Sequence, residues 1–353
     1  MQELLEDRKY CASSFLQYRT IADHSKCFSK RYAPRYFRRQ IKPASVKTSF
    51  ELEEALSSQI KEAANNQKVA LALSGGIDSA ILARYMPEGS RAYTFKCVVP
   101  GVRVTDETLQ AKRYAEECGL EHEIVEITWE DVLEFAPLLM KHKGAPIHSI
   151  EVQIYKAAKI AKQEGIDCFI FGESADCNFG GLSNVLSRDW LFGDYVDRYS
   201  YVLPYKALKE FTLDLNSFIP FVRADGTVDV HEHFRHFFFE ESMGSYSNAL
   251  ELAGIDYLAP YANTWLNVPL DYERVRRGEN KYLIREIFER LYPNWEIPTK
   301  TPMPRPTNEW LKEWRPVREE FWPGCTENMT GDQKWLVWSL ETFLNILDDI
   351  EKE

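Results

Sequence analysis

The sequence predicts an α/β fold: a mostly parallel sheet flanked by helices, with a mainly helical C-terminal part. Three observations predict it. Short apolar runs alternate with helix-length segments between residues 49 and 182, the pattern that strand–helix–strand crossovers leave in a chain. Two glycine-bearing stretches, SGGIDS and FGESADCNFGG, each follow such an apolar run. Beyond about residue 183 the chain turns to helical spacing rich in Trp, Tyr and Phe.

Residues 1–48 read as a polar, aromatic and basic arm, with the Pro of IKPAS marking its end. The core then runs over 49–182 and the helical part over 183–353. Residues 49–64 have helical spacing, with Ser49 as the expected N-cap. Val69–Leu73 is an apolar strand, followed at once by SGGIDS and the helical ILARYM. Strands are expected at Arg91–Val99, Glu121–Ile127 and Asp167–Phe171. Helices are expected over Thr105–Glu117, near Glu130–Lys141, and from Ser149 to Glu164, where Gly165 stops the last. In a parallel sheet, ligands bind outside the carboxyl ends of the strands, and both glycine-bearing stretches fall there.

The bulk composition narrows the function. A chain of 353 residues with net charge -11 is acidic, which argues against a general nucleic-acid binder. Its seven cysteines are odd in number and never spaced C-x-x-C, so they read as free thiols in a reducing compartment. No apolar run is long enough to span a bilayer, and the amino terminus has no signal-like apolar stretch, so a cytoplasmic location is expected.

Ser74-Gly75-Gly76-Ile77-Asp78-Ser79 joins a strand to a helix. Glycines let the backbone approach a phosphate, amides at the following helix start point at an anion, and the two serine hydroxyls add donors. Asp78 would be misplaced beside phosphate without an intervening cation, which implies Mg²⁺. The chain lacks G-x-x-x-x-G-K-[ST], so the loop is not of the Walker type. In the second stretch Glu173 and Asp176 are three residues apart, so a helical turn would face both carboxylates the same way. Asp176 can then share the Mg²⁺ with Asp78, and Glu173 can act as a base toward an attacking amine.

SGGxDS resembles the signature of the N-type ATP pyrophosphatases. This PP-loop class, with its adenine nucleotide alpha hydrolase-like fold, includes asparagine, β-lactam, GMP and NAD synthetases and certain tRNA-thiolating enzymes. The second stretch is similar to G-E-G-[SA]-D-E-x-F-G-G-Y of the asparagine synthetases. The resemblance implies an ATP-dependent ligase that adenylates a carboxylate and then forms an amide with ammonia or an amine, releasing AMP and PPi. It implies Leu73, Cys97 and Gly172 as further nucleotide contacts. IDYLAPYAN at Ile255–Asn263 and KYLIR at Lys281–Arg285 resemble later family segments, and the alignment makes Lys300 the lysine that neutralises charge on the α-phosphate.

Some positions depart from the family pattern. Ser174 replaces a glycine, Cys177 an acid and Leu182 an aromatic, while Leu258 stands for Arg and Asn263 for Asp. ATP-side positions are kept and substrate-side positions drift, so aspartate is in doubt as the acceptor. Glutamine-dependent members begin with a cysteine nucleophile and a glutaminase domain, whereas here 73 residues precede Ser74. The expected nitrogen source is therefore free ammonia, a separate glutaminase or carrier partner, or an amine on a small-molecule substrate. A homodimer is compatible with all of this. Lactam closure within one molecule and PP-loop thiolation of tRNA or a small molecule are the alternatives, and a non-catalytic nucleotide binder is disfavoured by the retained acids. His231, His233 and His236 read as residues of an aromatic helix rather than a metal site. Residues 29–42 interleave basic and aromatic residues, yet in so acidic a chain they read as an arm or partner contact rather than an RNA strip. Cys177 reads as a buried thiol.

Overall fold

The computed structural model describes residues 4–38, 42–299 and 303–352. In chain order the main helices are α1 (Arg8–Tyr18), α2 (Ser49–Asn66), α3 (Ile77–Ala83), α4 (Thr108–Glu117), α5 (Trp129–Lys143), α6 (Ile150–Gln163), α7 (Ala175–Asn178), α8 (Phe239–Ala253), α9 (Tyr282–Leu291) and α10 (Gly331–Glu351). The central strands are β1 (Val69–Ala72), β2 (Arg91–Cys97), β3 (Glu121–Ile127), β4 (Cys168–Ile170) and β5 (Asp256–Leu258).

All five strands pair in parallel, in the order β3-β2-β1-β4-β5. Chain order therefore runs one way from β1 to β3 and the other way from β4 to β5. Between β1 and β4 the direction reverses, which opens a crevice at their carboxyl ends. The SGGIDS loop leaves β1 there and the FGESAD loop leaves β4.

Parallel strands buried on both faces need apolar residues on both. Ala70, Tyr93 and Phe169 point to one face, where they meet α1, α5, α6, α8 and α10. Leu71, Ala92 and Ile170 point to the other, against α2, α3, α4 and α9. That alternation has the two-residue period of a strand and fills both layers.

The expected elements recur with small shifts of boundary. The N-cap of α2 is Thr48 rather than Ser49: the Thr48 hydroxyl accepts from the Glu51 amide, and Ser49 is already helical. Two differences are larger. The arm holds a helix, α1, with Tyr10 through Tyr18 all buried. A helix covered on all sides shows no polar face in its sequence, so amphipathic spacing could not reveal it. The C-terminal half also contributes strands: β5 completes the main sheet, and Thr264–Leu266 pairs with Ala44–Val46. These strands are only three residues long, too short for period-two alternation to register.

All seven cysteines are free thiols. Among the described residues no helix is long and apolar enough to cross a membrane.

Candidate active site

The loop after β1 is tied together by its own side chains. Ser79 Oγ accepts from the Ser74 backbone N–H at 3.0 Å and lies 3.0 Å from Ser74 Oγ. Ser74 Oγ in turn accepts from the Gly76 N–H at 3.2 Å. Helix α3 begins directly after Gly76. Two tyrosines brace that helix from the C-terminal half: Tyr261 donates to the Asp78 carbonyl at 3.1 Å, and Tyr292 to the Ala80 carbonyl at 2.7 Å. The two loops touch, since a Cβ on Gly172 would lie 3.3 Å from Asp78 Cβ.

Asp78 and Asp176 meet at one side chain. Lys281 Nζ lies 2.5 Å from Asp78 Oδ2 and 2.9 Å from Asp176 Oδ1. The lysine is buried and holds its backbone in the left-handed region at φ 54. Burial disfavours its charge, but the two carboxylates outweigh burial, so its pKa is raised and it stays an ammonium. Gly181 closes this cluster: a Cβ there would come within 1.9 Å of Asp176 Oδ1 and 2.3 Å of Lys281 Cε. No side chain larger than hydrogen fits that approach.

Glu173 and Asp176 do not share a helical face. Ser174, between them, sits at φ 72, so α7 starts only after it and the two carboxylates diverge. Asp176 turns to Lys281. Glu173 is half-buried and accepts from the Ser242 hydroxyl of α8 at 2.9 Å. Burial raises its pKa and nearby Asp176 adds to this, while the Ser174 amide and the Ser242 and Tyr246 hydroxyls pull it back. The Tyr246 phenol is itself held well above its ordinary pKa by burial and by Glu173, so it stays protonated and donates.

One cavity gathers most of the sequence-predicted residues. Leu73, Ser74, Asp78, Ser79, Gly172, Glu173 and Asp176 line it, joined by Thr94 and Phe95 of β2, Glu107, Tyr246, Met303 and Pro304. Cys97 is not among its lining residues but lies just behind, its thiol 3.4 Å from the Pro304 carbonyl, with burial pushing its pKa up to about 12. Gly75 and Gly76 sit in the loop beneath. Lys300 lies outside the described residues. The expected pair of magnesium ligands thus converges, and no third carboxylate, His or Cys joins it in a metal-binding cluster among the described residues.

Several site residues escaped the sequence reading. Lys281 belongs to the KYLIR segment but carried no assigned role there. Tyr261 lies in IDYLAPYAN and was likewise matched without a function. Ser242 and Tyr246 sit in a helix with no motif at all; only their spacing of four, one turn apart, hints that they share a face. The histidines scatter: His231 meets the Asn178 carbonyl at 3.2 Å, His233 is buried against Tyr199 and Phe218, and His236 pairs with Glu232.

No curated protein matches the chain. Among solved structures, NMN synthetase from Francisella tularensis is 12% identical, with a TM-score of 0.28, covering 72% of this chain and 99% of that one. A U34-tRNA thiolase from Methanococcus maripaludis is 18% identical, with a TM-score of 0.29 and coverages of 71% and 82%. The NH3-dependent NAD synthetase from Campylobacter jejuni is 16% identical, with a TM-score of 0.25 and coverages of 72% and 99%. Residues 51–265, more than half the chain, match the family described as asparagine synthase. With two glycine loops flanking the switch in the sheet and their aspartates meeting at one point, this chain belongs to the asparagine synthase family.

Proposed function

We propose that the protein is an ATP-dependent ligase that adenylates a substrate carboxylate and then forms an amide. The observation that carries this reading is the meeting of Asp78 and Asp176 over the SGGIDS loop, with half-buried Glu173 in the same cavity. Family membership supports the use of ATP in an adenylating step.

In the first step a carboxylate oxygen attacks the α-phosphorus, the bond from that phosphorus to the β-phosphate oxygen breaks, and pyrophosphate leaves. The amides and serine hydroxyls of the SGGIDS loop suit the departing pyrophosphate. Two carboxylates with substrate phosphates suit Mg²⁺, a hard cation that takes oxygen ligands. The bare Gly181 lets Asp176 and Lys281 come together at this point. Asp78 and Asp176 are thus the residues that would hold Mg²⁺, and the ion would supply charge neutralisation for the phosphates. Lys281 brings a positive charge to the same aspartates, and Lys300 is the further candidate for the α-phosphate.

In the second step ammonia or an amine attacks the acyl carbon, the bond to AMP breaks, and a proton of the ammonium passes to Glu173. Burial fits Glu173 to this task, since a raised pKa makes it a stronger base than an exposed carboxylate. Ser242 holds one of its oxygens in place.

The test is exchange of ³²P-pyrophosphate into ATP across a panel of carboxylic acids, followed by addition of ammonia or amines. Exchange that depends on one acid, and product that depends on an amine, is the expected result. AMP release with that acid and no added amine points to lactam closure, and exchange stimulated only by RNA points to thiolation. No exchange with any acid overturns the adenylation reading.

A further inference from the structure

Glu107 has no place in the scheme above, yet it lines the same cavity. It stands as the N-cap of α4, but its carboxyl makes no capping bond to that helix. It lies instead beside the SGGIDS loop, whose Gly75 amide favours its charged form. The packing beneath is close: a Cβ on Gly75 would sit 3.3 Å from Glu107 Cβ and 3.4 Å from Gln110 Cβ. A carboxylate therefore sits against the loop whose amides suit phosphate oxygens. Both are oxygen anions seeking one donor.

We propose that Glu107 is a proton-linked gate on this loop: polyphosphate binding is coupled to uptake of one proton by the Glu107 carboxyl, which then donates to a phosphate oxygen. The inference rests on the reading of the SGGIDS loop as a polyphosphate site.

The surroundings favour it. Burial pushes the Glu107 pKa up to about 7, the Gly75 amide pulls it down, and neighbouring Asp106 pushes it up again. Other charges face it from each packed element. Asp78 lies on α3, and Glu173 and Asp176 line the cavity from the second loop, with Lys281 between the two aspartates. Lys96 of β2 reaches toward Asp106 and Glu126 rather than Glu107, at 3.8 and 4.0 Å. His122 of β3 is bound to Thr94, and burial lowers its pKa. On α4 itself, Lys112 pairs with Glu116 and Arg113 bonds Gln110. Pyrophosphate adds several negative charges beside a carboxyl already poised near neutrality, and a like charge at contact distance drives an acid toward its neutral form. Departure of pyrophosphate then releases the proton.

The test is calorimetric titration of the full chain with pyrophosphate and Mg²⁺ at pH 8, in two buffers of different ionisation enthalpy. The same titration of Glu107→Gln subtracts protons taken up by pyrophosphate itself. Wild type is expected to take up about one proton more than Glu107→Gln, and its affinity to fall up to about tenfold more than the variant's between pH 8 and 9. Equal proton uptake by the two proteins overturns the proposal. Should Glu107→Gln not fold, Glu107→Asp, whose carboxyl is drawn back from the Gly75 amide, serves instead: reduced uptake supports the gate and unchanged uptake overturns it. If wild type does not bind pyrophosphate at all, the phosphate-site reading falls as well. Binding without Glu107-dependent uptake removes only the gate.

Discussion

The loops after β1 and β4 leave the same end of the sheet from adjacent strands and are held differently. The first is tied chiefly within itself, by Ser74, Gly76 and Ser79, with Tyr261 and Lys281 reaching only Asp78 from afar. The second is held from far along the chain: Glu173 by Ser242, Asp176 by Lys281, Asn178 by the carbonyls of Tyr261 and Thr264. A loop closed by its own side chains carries its geometry in its sequence. A loop closed by distant helices can be reshaped by changing them.

Substitutions test this division. Glu173→Gln keeps the shape of the second loop while removing a base. It is expected to leave pyrophosphate exchange in place and to slow amide formation by about 10²–10⁴-fold. A carboxyl with a raised pKa becomes a base only above that raised value. The wild-type amide step should therefore rise with pH and level off above the ordinary carboxylate range, and this limb should vanish in the variant. Loss of exchange along with amide formation would show that the two loops do not divide the chemistry.

Lys281→Met strikes the point where the loops meet. Removing one partner of a buried ion cluster strands the other charges, so a loss of about 3 kcal/mol in unfolding free energy is expected by chemical denaturation. A loss near zero would mean that the two aspartates tolerate each other unaided. Tyr246→Phe removes a hydroxyl that lowers the Glu173 pKa. The amide step should slow by roughly tenfold, consistent with one lost hydrogen bond, and its pH limb should move upward, with exchange unchanged. The smallest effect is a gain. Ser174 holds φ 72 without a glycine's freedom, so Ser174→Gly should stabilise the fold by about 1 kcal/mol, read as a higher Tm.

The same contrast governs what could be read from the chain. β1, α3 and the SGGIDS loop are contiguous, and strand, turn and helix follow each other in residue order. Asp78 and Asp176 could be paired in advance because each sits in a recognisable loop. Their joint partner Lys281 could not, because only the packing of α9 on α2 and α3 brings it there. Glu173 and Asp176, expected on one helical face, are parted by one dihedral. Residue 174 departs from the family glycine yet keeps a glycine's conformation, so the substitution hid the break in the helix. Helix α1 was hidden differently: buried on every side, it has no polar stripe to announce it.

Strand β5 carries one more consequence, for how the chain is made. It pairs with β4 along Cys168–Ile170, but a long helical stretch separates the two in sequence. During synthesis β4 leaves the ribosome well before its neighbour, and its outer row of amides and carbonyls waits uncovered. An uncovered strand edge invites pairing with another chain. Fragments cut near residue 182 would keep the SGGIDS loop and still be prone to clump, so the nucleotide half of this protein cannot safely be produced without its distal strand.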